Sequence, residues 1–373
     1  MSDHEEEKNE NELIPVTVTK YQVAADIANR SLKTVLAAIK PGATILDLCT
    51  LGDNTINSIS KTVYNKGAVK RGIAFPTCVS PNSLICNLSP LASDPEAKLT
   101  LAEGDVVKVE LGTHVDGYIC QLAHTVVVGA TAESPATGVK ADIMKCGNAC
   151  MEAAVRLIKP GNTNTQVTEA IEKITNDFGL KASEGMLSHQ LLRNVLDGPK
   201  TIVCNPTEQS KKDTAEVTFE LGEVYAFDIC VSNGDGKSKS AEIRTTVYKR
   251  NPNATYQLKM AASRYVFSQV QKEIGTMGFS LRQLDEKKGR MGIIECASHA
   301  LVTPYGVQKD AEGVYSAHFV FTVLLMPNGP LRLSAHYDES LVKSDKDVKD
   351  AEIVELLKTE IKKKKKSAKK STA

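Results

Sequence analysis

The chain has 373 residues, 42% of them apolar, with 46 Lys and Arg against 45 Asp and Glu for a formal charge of +1. That is an ordinary globular balance in a chain long enough to bury a core without disulfide or metal staples. No apolar run approaches the ~20 residues of a bilayer span, and the acidic opening Asp3-His4-Glu5-Glu6-Glu7 is unlike a secretory leader, so the expectation is a soluble, intracellular protein without membrane insertion.

The near-zero charge is a cancellation. Residues 1–13 hold six acids and one lysine, an acidic head. The basic tail carries Lys362, Lys363, Lys364, Lys365, Lys366, Lys369 and Lys370, with no acid between them. Both ends read as disordered. Nine scattered cysteines, none in a CxxC pair, speak against a zinc ribbon and read as buried, reduced thiols.

In chain order, Val23, Ile27, Leu32, Val35 and Leu36 fall at helical spacing and predict a helix over 21–39. Ile39-Lys40-Pro41-Gly42 stops it, and a second helix over 45–64 follows. Lys66, Lys70 and Arg71 make a basic cluster. The turn Gly104-Asp105-Val106 then feeds a strand that ends on Glu110. Alternation puts Val107, Val109 and Leu111 on one face and Lys108 and Glu110 on the other. A strand over 118–128 comes next.

The pattern then recurs. A helix over 141–158 carries Ile143, Cys146, Cys150, Ala153, Ala154 and Leu157, with Cys146 and Cys150 on one face. It stops at Ile158-Lys159-Pro160-Gly161, and a helix over 165–178 follows. Gly222-Glu223-Val224 feeds a strand ending on Asp228. Two motifs recurring at offsets of 119 and 118 residues mark an internal repeat. Two such halves, related by pseudo-symmetry, would bring Glu110 and Asp228 to equivalent places in one central cleft.

Beyond the repeat, Lys237, Lys239 and Arg244 form a further basic cluster, followed by a strand over 245–248. The block 251–317 has no counterpart in the first half and reads as a mostly helical insertion, with helices over 258–274 and 291–301. An apolar strand over 318–325 follows. A last helix over 351–361 contains Ile353-Val354-Glu355-Leu356-Leu357, similar to a helical docking box but read as core or capping. The domain reading is a head over 1–13, a body over 14–345 and a C-terminal helix with its tail over 346–373.

Other chemistries fail on the residues. Gly236-Lys237-Ser238 lacks the earlier glycine of a phosphate loop, that position being Val231. No G-x-S-x-G elbow occurs. His114 and His124 read as packing or surface residues, and His189, in a glycine-flanked loop, as structural.

Two similar halves with a late insertion resemble the creatinase/methionine aminopeptidase family in its type 2 form. The segments that carry the resemblance are Ala74-Phe75-Pro76-Thr77, Gly112-Thr113-His114-Val115-Asp116-Gly117 and Gly222-Glu223-Val224-Tyr225-Ala226. It implies an α/β (α+β) pita-bread fold: two pseudo-symmetric halves around a curved antiparallel sheet, over roughly residues 15–345. It also implies two metal ions held by two Asp, one His and two Glu, which would activate a water for peptide hydrolysis. The matching positions here are Glu110, Gln121, Met186, Asp228 and Val320. Asn87 stands where the family has a substrate-binding His. The set is degenerate, so no metal, no cofactor and no catalysis are expected.

Local strings, above all Gly185-Met186-Leu187-Ser188-His189-Gln190, together with the lysine tail, resemble the proliferation-associated (ErbB-receptor-binding) branch and its fungal curved-DNA-binding relatives. That resemblance implies a non-enzymatic nucleic-acid-binding factor. Its partners would be ribosomal RNA and ribosomal particles, or structured or curved DNA. It would act in ribosome biogenesis, translation and growth regulation, in cytoplasm and nucleus or nucleolus. Protein partners could use the cleft, the insertion or the C-terminal helix. The alternatives are a residual metal-dependent aminopeptidase and a protein-interaction scaffold. The lysine clusters can bind phosphates but carry no base readout, and with 5% aromatics and no Trp stacking platforms are few.

Overall fold

The computed structural model describes residues 9–334 and 338–361. The tail lysines, and residues 1–8 of the head, lie outside the described residues. The first half runs α1 (Pro15–Ala38), α2 (Ile45–Ser60), β1 (Arg71–Pro81), β2 (Leu84–Cys86), β3 (Val106–Val115) and β4 (Tyr118–Val127). The second half repeats the order with α3 (Gly138–Leu157), α4 (Asn164–Phe178), β5 (Lys181–Ala182), β6 (Leu187–Gln190), β7 (Thr201–Val203), α5 (Glu208–Asp213) and β8 (Val224–Ser232). There follow β9 (Lys239–Ser240), β10 (Val247–Arg250), α6 (Ala261–Gln269), β11 (Gly278–Ser280), α7 (Glu286–Ser298), β12 (Val302–Tyr305) and β13 (Gln308–Lys309). The chain closes with β14 (Ser316–Met326), β15 (Gly329–Arg332) and α8 (Ala351–Lys358).

The repeated motif has a repeated physical cause. Gly42 and Gly161 stand at φ +85° and +92°, a left-handed conformation that glycine adopts without a Cβ clash. Each following helix is capped by a threonine. Thr44 Oγ1 accepts the Asp47 amide at 3.1 Å, and Gln166 Oε1 accepts the Thr163 amide at 2.9 Å in a reciprocal box.

The main sheet has nine strands in the order β1-β3-β4-β14-β8-β6-β7, with β15 and β5 added at β14 and β8. The halves join at the β4–β14 seam, through the pair Val320–Ala123. β3 and β8 therefore stand one strand away from the seam on either side. Val107, Val109 and Leu111 pack beneath the first helix pair, and Phe227, Ile229, Phe319 and Phe321 beneath the second. A Cβ on Gly147 would come within 2.5 Å of the Phe319 ring, so α3 rides directly on β14. The opposite face of the sheet is left to the cleft. Both G-[DE]-V strands run past their carboxylates, so Glu110 and Asp228 lie in mid-strand rather than at strand ends.

The insertion is less helical than its sequence suggests. α6 and α7 form one layer and the sheet β11-β10-β12 the other, with Tyr248, Phe279, Val266, Ile293 and Val302 between them. The helix expected from residue 258 starts at Ala261. The Lys259 and Met260 amides donate instead to the Glu295 carboxylate at 2.8 and 3.1 Å. Its last turn widens, with the Gly275 amide donating to Val270 O at 2.7 Å. The unit is pinned to the first half by Arg282, whose Nη2 donates to Asp53 Oδ2 at 2.6 Å.

Both outer segments are tied to the body. Tyr118 Oη donates to Glu10 O at 2.7 Å, and Arg193 Nη1 reaches Glu10 Oε1 at 2.6 Å. Residues 9–13 of the expected disordered head are thus docked. At the other end, Ile353 is 4% exposed, and Leu356 and Leu357 pack on the core of the second half. The docking box turns inward, which removes its apolar face as a partner surface. Among the described residues no helix is long and apolar enough to cross a membrane.

Candidate functional site

Directly opposed residues in an antiparallel pair share a face, and residues two apart do as well. The register pairs Val320 with both Ala123 and Asp228, and His318 with Cys230. The cleft face therefore collects Glu110 from β3, Gln121 from β4, His318 and Val320 from β14 and Asp228 from β8. The resulting cavity, of about 420 Å³, is lined by all six positions that the resemblance singles out: Asn87, Glu110, Gln121, Met186, Asp228 and Val320. Pro304 and Tyr305, from the insertion, add a wall, with Tyr305 edge-on to Phe75 at 5.2 Å.

Three of the positions are committed to contacts within the protein, and a fourth is tied through its backbone. Asn87 Nδ2 donates to Gly306 O at 3.0 Å. Met186 packs against Ile85, Cys86 and Cys230. Val320 is 4% exposed within an apolar cluster that includes Ala123, Ala226 and Leu324. The Gln121 backbone is tied to Thr322, its amide donating to Thr322 Oγ1 at 3.0 Å and its carbonyl accepting from the same hydroxyl at 3.1 Å.

Two carboxylates are left, and one is already engaged. His318 Nε2 lies 2.8 Å from Asp228 Oδ1. Burial disfavours charge on this ring, but Asp228 and, behind it, Glu110 outweigh that and hold His318 above the ordinary imidazole value. Glu110 is buried with Oε2 unpartnered. Burial pushes its carboxyl up to about 7, His318 opposing the rise and Asp228 adding to it. Beneath them Lys108 is buried, its Nζ donating to Asn82 O. Burial pulls its ammonium down to about 7, against the pull of Cys230, Cys86 and Asp310.

A dinuclear centre needs several oxygen and imidazole donors converging on open space. Here an alkyl group, a thioether and an amide stand at three positions, and an imidazole occupies the fourth's carboxylate. Among the described residues no three His, Cys, Asp or Glu side chains are arranged to hold a metal. The residues do not fit the metal pair.

The remaining sequence-predicted positions are spread out. Lys237 and Lys239 are exposed and flank Ser238, at the rim of the cleft. Arg244 sits in a separate hollow with Lys287, Arg290, Met291 and Ile294, and its Nε donates to Asp94 Oδ1 at 2.8 Å. Lys66 and Lys70 are exposed between α2 and β1. Arg71 is half-buried, donating to Ser60 O and Val69 O at 2.7 and 2.8 Å. His114 and His124 are packing residues, both pulled down to about 4 by burial. His189 lines the cleft with Nδ1 unpartnered. All nine cysteines are buried, free thiols.

Sequence reading missed His318, Lys287 and Arg290. The signal for His318 was available: a titratable residue inside an apolar strand, two positions from Val320 and so on the same face.

Residues 19–250 match metallopeptidase family M24. Over 96% of its length the chain is 45% identical to a Schizosaccharomyces pombe protein named curved DNA-binding protein, covering 95% of it. It is 43% identical to the Arabidopsis thaliana ErbB-3 binding protein 1, over 99% of this chain and 93% of that one. A solved structure of a thermophilic Arx1 superposes with a TM-score of 0.88 at 30% identity, over 94% of this chain and 100% of that one. A Thermotoga maritima methionine aminopeptidase shares the fold, with a TM-score of 0.57 at 19% identity over 87% and 98% of the two chains. The chain is a pita-bread member of metallopeptidase family M24, in the branch of the proliferation-associated, ErbB3-binding and curved-DNA-binding proteins.

Proposed function

We propose that this chain is a non-enzymatic nucleic-acid-binding factor acting on ribosomal particles. The observation that carries the non-catalytic half is the cleft, where Asp228, one of its two facing carboxylates, is engaged by His318. Peptide hydrolysis in this fold needs a metal-activated water, and the donors for it are missing.

The binding half is supported by the seven tail lysines and by the exposed Lys237, Lys239, Lys66 and Lys70. The hollow of Arg244, Glu286, Lys287 and Arg290 adds basic side chains, with Arg244 paired to Asp94. A relative is named for binding curved DNA. Lysine and arginine contacts to phosphate recognise the shape and charge of a structured polyanion rather than its bases. Structured ribosomal RNA fits that recognition, and ribosome biogenesis and translation, in nucleus or nucleolus and cytoplasm, are the settings that supply it.

The test is filter binding of a structured ribosomal RNA fragment, and of curved and straight duplex DNA, to the full chain and to a chain lacking residues 362–370. Tight, salt-sensitive binding that weakens on deletion supports the reading. Equal, negligible binding by both forms overturns it. Methionine release by the purified protein would restore the aminopeptidase reading.

A further inference from the structure

The described end of the acidic head is anchored at one place on the body. Arg193 holds it twice, with Nη1 on Glu10 Oε1 at 2.6 Å and its backbone amide on Asn11 Oδ1 at 2.7 Å. Tyr118 Oη donates to Glu10 O at 2.7 Å, and Leu13 packs on the cluster that contains Tyr118. The surroundings are basic. Arg193 and Lys20 lie 5.7 and 5.4 Å from the centre of the Tyr118 ring. Both reach Asp116, Arg193 Nη2 at 2.9 Å and Lys20 Nζ at 2.5 Å. The Asp116 amide in turn donates to Lys70 O at 2.6 Å. The anchor is therefore one contact away from the loop that carries Lys66 and Lys70, and both of these lysines are exposed. Upstream of Asn9 the head holds Asp3, Glu5, Glu6 and Glu7 against the single base Lys8. Three residues of extended chain span about 10 Å, so a chain fixed at Glu10 brings these carboxylates within reach of the two lysines.

We propose that the acidic head is an internal competitor for nucleic acid, its carboxylates at residues 3–7 pairing with Lys66 and Lys70 until a polyanion displaces them. The docked stretch 9–13 makes that pairing intramolecular, so exposed ion pairs that are weak on their own form at a high effective concentration. A phosphate backbone wins the same lysines because each contact also releases condensed counterions. The head thus sets a threshold: a single stray phosphate does not open the patch, and a continuous polyanion does. This inference rests on the nucleic-acid-binding reading and adds a control on one of its basic clusters.

The full-length chain is compared at low salt with a head-neutral form carrying Asp3→Asn, Glu5→Gln, Glu6→Gln and Glu7→Gln, using a short RNA hairpin as the probe. Both forms are also made with Lys66→Ala and Lys70→Ala, and with Lys237→Ala and Lys239→Ala. Neutralising the head is expected to tighten RNA binding about fivefold, the effect of releasing two exposed ion pairs. The gain should persist when Lys237 and Lys239 are replaced and vanish when Lys66 and Lys70 are. Carbodiimide cross-linking without RNA, read by mass spectrometry, should join Glu5, Glu6 or Glu7 to Lys66 or Lys70, and the hairpin should suppress that product. An equal gain in every background would be a long-range charge effect and overturns the proposal. If the full chain binds RNA, neutralisation changes nothing and no such cross-link forms, the competitor is overturned and the nucleic-acid-binding reading stands. If no form binds RNA, both fall.

Discussion

His318 Nε2 and Asp228 Oδ1 stand 2.8 Å apart on neighbouring strands, the ring 1% and the carboxylate side chain 19% exposed. Breaking a buried pair leaves an uncompensated charge, worth about 3–5 kcal/mol. The His318 value is raised in the fold. Its contribution is therefore complete below the ordinary imidazole range and is lost as pH rises through the raised value. Denaturant melts of wild type and His318→Gln should differ more at pH 6 than at pH 9. A difference that does not change with pH would mean that packing alone accounts for the residue.

Glu110 has the opposite economy. Its carboxyl rises from 4.5 to about 7 in the fold, so the folded state favours the protonated form. The resulting penalty is absent below about pH 4.5, grows to about 7 and is constant above, on the order of 3 kcal/mol. Glu110→Gln mimics the protonated carboxyl. It should match wild type at pH 4.5 and exceed it in stability at pH 8, read by thermal or urea melts. A loss of stability at pH 8 would contradict the assignment.

Arg282 ties the insertion to the first half through Asp53, with both side chains 11% exposed. Asp53 Oδ1 also accepts the Thr77 amide at 2.8 Å. Arg282→Ala should cost about 3–5 kcal/mol and expose the insertion to limited proteolysis ahead of the two halves. Cleavage elsewhere first would show that other contacts hold the unit.

Among the basic positions, Lys237 and Lys239 are free of the ion pair that engages Arg244. Replacing both lysines by alanine should lower the slope of log affinity against log salt by at most about 2, since each phosphate contact contributes roughly 0.7–0.9. Arg71→Ala should leave the slope unchanged and lower stability instead, because its guanidinium caps backbone carbonyls. A reduced slope for Arg71→Ala would reverse that assignment.

The repeat was legible because its causes are local. Pro-Gly stops, threonine caps and G-[DE]-V turns can be read residue by residue, and they placed Glu110 and Asp228 in one cleft. The six positions assigned through resemblance line one cavity. What escaped was set by contacts distant in sequence. β11 and β12 look unremarkable until α6 and α7 cover the sheet that they form with the expected strand β10. Arg71 reads as a surface base until Ser60 O and Val69 O claim it. His318 was read only as the first residue of an apolar strand, and its role depends on Asp228, 90 positions earlier.

Sedimentation of the full chain with ribosomal subunits, at low and high salt, bears most directly on a metal-free body that works through its basic surface. Co-sedimentation at low salt, lost steeply as salt rises and weakened when residues 362–370 are removed, is the predicted result. A chain that stays at the top of the gradient at every salt concentration would contradict the account.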